Sequence, residues 1–230
     1  MVTPERFAAG MTFDQYVAYT ATEENLKREG SQGPRKDWSG FLRRAYETAH
    51  LSEAQEQAWK WLAAQPEGPA RVLVISEEWS SDCRRDVPMV ARVADVAGLE
   101  LRIFPRDGQR CSRTPAPSPA ESPNADLMGQ FLNHKNGQTW QSIPVVAFFT
   151  RRMEPLYHYI EFPAIYHKDR VVGSLRAPRP GETKEQAQER GNRDFMELQG
   201  SAFFRVWAAA GVDEMLSMLH ERLRVGSLAT

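Results

Sequence analysis

The sequence predicts an α/β fold: a central mixed sheet flanked by helices, with further helical segments at both ends. Three observations predict it. Val72-Leu73-Val74-Ile75 is a short β-branched apolar run, the pattern of a buried strand. It passes through the polar stretch Ser76-Glu77-Glu78-Trp79-Ser80-Ser81-Asp82 into a segment where Cys83, Val87, Val90, Ala91 and Ala94 share one helical face. A strand at 101–104 follows that helix, so it pairs with 71–76 in parallel, whereas strands at 145–150 and 156–162 are joined by a short hairpin connection and run antiparallel.

Residues 1–66 read as helices, broken at Gly30 to Pro34. Trp38, Phe41, Leu42, Ala45, Tyr46 and Ala49 follow helical spacing more closely than any other stretch. Ser52-x-x-Gln55 resembles a capping box, opening a helix that turns Trp59 and Leu62 inward and ends at Pro66-Glu67-Gly68-Pro69. The helix from about Ser81 to Ala97 contains Pro88, which removes a backbone hydrogen bond, and stops at Gly98. Residues 107–124, with four prolines and no apolar period, read as a loop or a disordered insert.

A helix over 125–133 and a turn at Asn136-Gly137 come next. Beyond the aromatic stretch 157–166 and a Pro/Gly linker at 176–181, residues 183–209 read as helical, with Phe195, Leu198, Phe203, Phe204 and Trp207 apolar. Asp213 is a good N-cap for a last helix bearing Met215, Leu216, Met218, Leu219 and Leu223. The expected organisation is a helical extension over 1–69, a core over 70–162 carrying the insert 107–124, and a C-terminal helical extension over 163–230.

Composition excludes several classes. A formal net charge of −1 gives no electrostatic case for nucleic acid or an anionic membrane. No apolar run approaches a membrane span, and the first residues lack a basic head followed by an apolar core, so the cytoplasm is expected. Two cysteines form no disulfide framework. No phosphate-binding loop, dinucleotide fingerprint or nucleophile elbow is present. His158, Glu161 and His167 match no compact metal motif, so neither metal nor cofactor is expected. Glu77, Glu78 and Asp82 make the turn acidic, and acids in a polar turn are usually solvated.

The chemistry concentrates at the strand-to-helix junction, where a helix N-terminus faces Ser80, Ser81, Asp82 and Cys83. Trp79-x-x-x-Cys83 after a buried strand resembles the thioredoxin active-site region, Trp-Cys-x-x-Cys, with Ser80 where the first cysteine stands. Ser142-Ile143-Pro144 before an apolar strand resembles that family's cis-proline segment. Leu101-Arg102-Ile103-Phe104 and Asp126-Leu127-Met128 resemble a bacterial thioredoxin-like family with a helical N-terminal extension.

The resemblance implies a thioredoxin-like fold, a Trp79 lid over the turn, a cis Pro144, an Ile143 backbone that meets an extended partner, and Trp79, Ser80, Ile143 and Pro144 as the partner-binding residues. A serine hydroxyl is not appreciably ionised near neutral pH and cannot replace the attacking thiolate. Two functions follow. One is a thiol–disulfide oxidoreductase acting through Cys83, alone or with Cys111, since loops after successive parallel strands emerge at one edge and the insert can bring Cys111 there. The other is a non-catalytic binding module for a peptide or protein partner, with Cys83 a small buried residue and Ser80 a helix cap.

Overall fold

The computed structural model describes residues 1–31 and 33–225; residues 226–230 of the expected C-terminal extension lie outside them. The elements in chain order are α1 (Pro4–Ala8), α2 (Phe13–Thr20), α3 (Glu23–Leu26), β1 (Glu29–Gly30), β2 (Gly33–Pro34), α4 (Ser39–Glu47), α5 (Glu53–Ala63), β3 (Arg71–Ser76), α6 (Ser81–Ala97), β4 (Glu100–Pro105), α7 (Ala125–Met128), β5 (Asn133–Lys135), β6 (Gln138–Trp140), β7 (Val145–Phe149), β8 (Pro155–Ile160), α8 (Lys168–Arg176), α9 (Lys184–Gln199) and α10 (Ala202–Val225).

The main sheet has the order β4-β3-β7-β8. β3 pairs with β4 in parallel, Val72 opposite Leu101, and with β7 antiparallel, Val72 opposite Phe148. β8 extends the sheet antiparallel to β7. Every residue from Val72 to Ser76 is buried, as a central strand covered on both faces requires. Helix α5 begins in the Ser52/Gln55 capping box and stacks Trp59 on Phe148, ring centroids 5.5 Å apart. Helix α6 starts at Ser80, contains Pro88 and ends at Gly98 in the left-handed region. It packs against α4, α5 and α10. The N-terminal segment is tied to the sheet edge where Met11 and Ile103 exchange two backbone hydrogen bonds of 2.9 and 2.7 Å. Among the described residues no helix is long and apolar enough to cross a membrane.

Several expectations need correction. The N-terminal helices are interrupted by the short β1–β2 hairpin. The helix expected over 125–133 stops at Met128, and β5 and β6 form a hairpin beyond it. Asn136 and Gly137 both have positive φ, 54° and 72°, which selects a two-residue hairpin loop and competes with helix there. Asp213 does not cap a last helix. α10 runs through it because Phe204, Ala208, Val212, Met215 and Leu219 keep one face buried. Gly211 lets that face close on β8, since a Cβ there would lie 3.3 Å from the Tyr159 hydroxyl. Helix α8 lies within the expected helical extension 163–230, in a part of it where no individual helix is placed from the sequence.

The insert 107–124 takes the loop form and is fastened at both ends. Ser112 N–H donates to Asp107 Oδ1 at 3.1 Å, Asn124 Nδ2 donates to the Pro105 carbonyl at 2.6 Å, and Ser122 Oγ donates to the Arg106 carbonyl.

Candidate functional site

The junction between β3 and α6 is built from the sheet outward. Ser80 is the N-cap of α6 and its Oγ accepts the Cys83 N–H at 3.5 Å. Cys83 faces inward with 1% of its surface exposed, and its sulfur accepts the Glu77 N–H at 3.5 Å. Burial pushes its thiol up to about 12. The neighbouring arginines do not offset this. Arg84 donates to the carbonyls of Glu78 and Trp79 at 2.7 and 2.8 Å and to Gln199 Oε1 at 2.7 Å. Arg85 is committed to Asp82 and Asp86.

The acidic turn is not solvated: Glu77, Glu78 and Asp82 are all buried. Two arginines from the N-terminal region fold over it and supply the missing counter-charge. Arg28 reaches Glu77 at 2.9 Å, and Arg35 reaches Glu77 at 2.5 Å, Glu78 at 2.8 Å and Asp107 at 3.4 Å. Arg106 holds Asp107 from the other side at 2.8 Å. Burial, then the Asp107 anion, holds Glu77 above the usual carboxylate range, with Arg28 and Arg35 acting against them. The Trp79 indole N–H donates to Asp107 Oδ2 at 3.1 Å, so the tryptophan is pinned to the same network.

A second buried network joins α6 to β8 and α8. Asp86 accepts from Arg85 Nε at 2.7 Å, from Arg85 Nη2 at 2.6 Å and from the Tyr159 hydroxyl at 3.0 Å. Lys168 pairs with Asp82 from α8. Burial pushes the Asp86 carboxyl up to about 6, Arg85 opposing it. The folded chain therefore binds this proton more tightly than the unfolded chain does. The stability Asp86 contributes is complete below its ordinary value of 3.8 and is lost as pH rises through about 6. The stability difference between the parent chain and Asp86→Asn should accordingly grow by about 1 kcal/mol between about pH 7.5 and about pH 5 in urea unfolding curves. A pH-independent difference would place Asp86 in an ordinary ionised pair.

The remaining expected site residues meet the turn through Arg106, which reaches Asp107, the Gln141 carbonyl and the Cys111 sulfur. The Ile143–Pro144 peptide is cis, and both residues are buried. Cys111 is half-buried in the insert, its sulfur 3.6 Å from Arg106 Nη2 and 3.9 Å from the Ser112 carbonyl oxygen. Both cysteines are free thiols. Among the described residues no cluster of three His, Cys, Asp or Glu side chains could hold a metal ion.

Trp79 and Ser80 line a cleft of about 380 Å³ outside the α6 N-terminus, closed by the β1–β2 hairpin on one side and by α8 and α9 on the other. Ile143 and Pro144 are not on its walls. Its C-terminal wall, from Lys168 to Gln199, carries no motif that announces it. Its basic residues Arg35, Lys36, Arg84, Lys168 and Arg176 are scattered along the sequence and mostly stand beside acids such as Asp37, Asp82 and Asp169, so no local charge run marks them.

A family model described as Thioredoxin matches residues 32–113, the segment holding Arg35, the acidic turn, Cys83, Asp107 and Cys111. No curated protein matches the chain. A crystal structure of a protein of unknown function from Pseudomonas aeruginosa is 14% identical, with a TM-score of 0.52, covering 96% of this chain and 98% of that one. A crystal structure of an HIV epitope-scaffold is 15% identical, with a TM-score of 0.51, covering 94% and 96%. Identities this low speak to fold alone. With its mixed sheet, its strand-to-helix junction and the matched segment, which spans about a third of its length, the chain has a thioredoxin-like fold.

Proposed function

We propose that this chain is a thioredoxin-fold binding protein for a peptide or protein partner, without thiol–disulfide turnover of its own. The observation that carries the reading is the state of Cys83: it is sealed under the turn, its thiol is held far above neutral pH, and the position before it that an attacking cysteine would take is Ser80. Thiol–disulfide exchange needs an accessible thiolate at one sulfur. Cys111 is the more accessible thiol, but burial and the Asp107 anion raise it as well, with Arg106 and Arg113 opposing. What the junction does offer is a fixed, walled cleft with Trp38, Trp79 and Phe195 on its sides, the form of a ligand site.

Maleimide labelling read by intact mass tests the reading. The native, reduced chain should take one label, on Cys111, and two in denaturant. Mild oxidant should leave the monomer's mass without the loss of two hydrogens that an internal bridge produces. Native labelling of Cys83 at the rate of Cys111, or formation of that bridge, would return the protein to the redox reading, through Cys83 alone or paired with Cys111.

A further inference from the structure

We infer that the cleft outside the α6 N-terminus binds an oxyanion, the carboxylate or phosphate group of the partner. The inference rests on the binding reading above and adds the chemistry of the ligand.

Five basic side chains stand on the walls of this cleft, Arg35, Lys36, Arg84, Lys168 and Arg176, and no aspartate or glutamate does. Two of the five are already neutralised, Arg35 by Glu77 and Glu78 and Lys168 by Asp82. The other three have no carboxylate within ion-pair distance among the described residues. Lys36 is exposed. Arg176 donates to the neutral Asn192 Oδ1 at 3.0 Å, and its Nε is buried without a partner.

Arg84 is the decisive residue. Only 3% of its surface is exposed, and all three of its hydrogen-bond acceptors are neutral oxygens. Its Nε has no partner. A buried cation without a counter-anion is costly, and the cost is relieved when an anion enters beside it. The Trp38 ring, 3.8 Å from the guanidinium carbon, offsets part of it.

The helix adds to the field. α6 is 17 residues long, and Ser80 and Ser81 bring its first turn to the cleft. The first N–H groups of a helix have no intrahelical acceptors and carry the positive end of the dipole. Three uncompensated cations and a helix N-terminus around one space select an anion, and planar guanidinium groups suit the paired oxygens of carboxylate and phosphate. The aromatic walls can pack against the ligand's carbon skeleton.

The test is a titration of the full chain with inorganic phosphate and, separately, with glutarate, against sodium chloride at matched ionic strength. The readout is the 1H–15N signals of Arg84 Nε–H and of the Trp38 and Trp79 indoles. At least one oxyanion should give a saturable shift that chloride does not. Tighter binding of phosphate identifies a phosphate-bearing ligand, and tighter binding of glutarate a carboxylate.

Lys36→Gln and Arg176→Gln should each weaken the saturable response by about three- to tenfold with little change in the unfolding midpoint. These two are used because Arg84→Gln disturbs a buried side chain. A linear, chloride-like response to both anions overturns the inference, as does saturable binding unchanged in the Lys36→Gln/Arg176→Gln double variant. Thiol labelling reads Cys83 independently, so loss of the anion site and loss of the binding reading are told apart.

Discussion

Replacing Arg35 by methionine is expected to destabilise the chain by about 3–5 kcal/mol, the cost of stripping one partner from a buried ion network. Its side chain is fully buried, and one nitrogen serves two glutamates, 2.5 Å from Glu77 and 2.8 Å from Glu78. Removal does not orphan all its partners equally. Glu77 keeps Arg28, and Asp107 keeps Arg106. Glu78 keeps only the Asn25 amide, at 3.2 Å, among side-chain donors. Glu78 is therefore the group left charged and unpaired, so Arg35→Met/Glu78→Gln should recover part of the loss. The recovery measured in a double-mutant cycle isolates the pair.

The deficit of Arg35→Met should also shrink on acidification. An orphaned buried carboxylate takes its proton at a higher pH folded than unfolded, so the variant gains relative stability as pH falls. Urea midpoints across pH read both effects. A loss below about 1 kcal/mol would mean that the turn is hydrated and its charges interact as surface pairs do. The same variant bears on the thiol: Glu77 donates its N–H to the Cys83 sulfur, so loosening the turn should speed maleimide labelling of Cys83.

The strand and helix that frame the site were legible because their signals are local. An apolar β-branched run, an N-cap serine, a one-sided apolar helix and a glycine stop lie in consecutive residues from Val72 to Gly98, and β3 and α6 follow them. The partners of the turn were not legible. Arg28 and Arg35 lie more than 40 residues before Glu77, on either side of a Gly/Pro break, and ion pairing at that separation leaves no period in the sequence. Read locally, Glu77-Glu78 is an acidic surface turn; with both arginines folded over it, it is a buried charge cluster. The β5–β6 hairpin was missed for a different reason. Its turn residues were plain, but strands of three residues each are too short to show alternation. In α10 the error ran the other way: Asp213 carries capping chemistry, and packing of Val212 and Met215 overrides it.

Ser80→Cys should create a reactive thiol without creating a thioredoxin. The new sulfur would sit at the N-cap of α6, on the wall of a cleft holding Lys36, Arg84 and Arg176, and cations and a helix N-terminus lower a thiol's pKa. It should label with maleimide faster than Cys111. Positions three apart at a helix start bring their Cβ atoms close enough for a bridge to Cys83. A disulfide oxidant such as oxidised glutathione should then join the introduced sulfur to Cys83, each bridge consuming one oxidant molecule and releasing two reduced thiols. Reduction of a protein disulfide is a harder test. Only 8% of Ser80 is exposed, and the β1–β2 hairpin, α8 and α9 stand around it, so a protein's disulfide cannot reach the sulfur in line. Insulin reduction by the variant should stay at the rate of the parent chain. If it instead rises to the rate of a thioredoxin, the terminal helices do not close the site, and the chain is an oxidoreductase that has lost one sulfur. If the bridge forms and insulin is untouched, the walls around Ser80 as well as the missing cysteine keep this fold from disulfide exchange, and the cleft admits a side chain or chain end of the partner rather than a folded protein's disulfide.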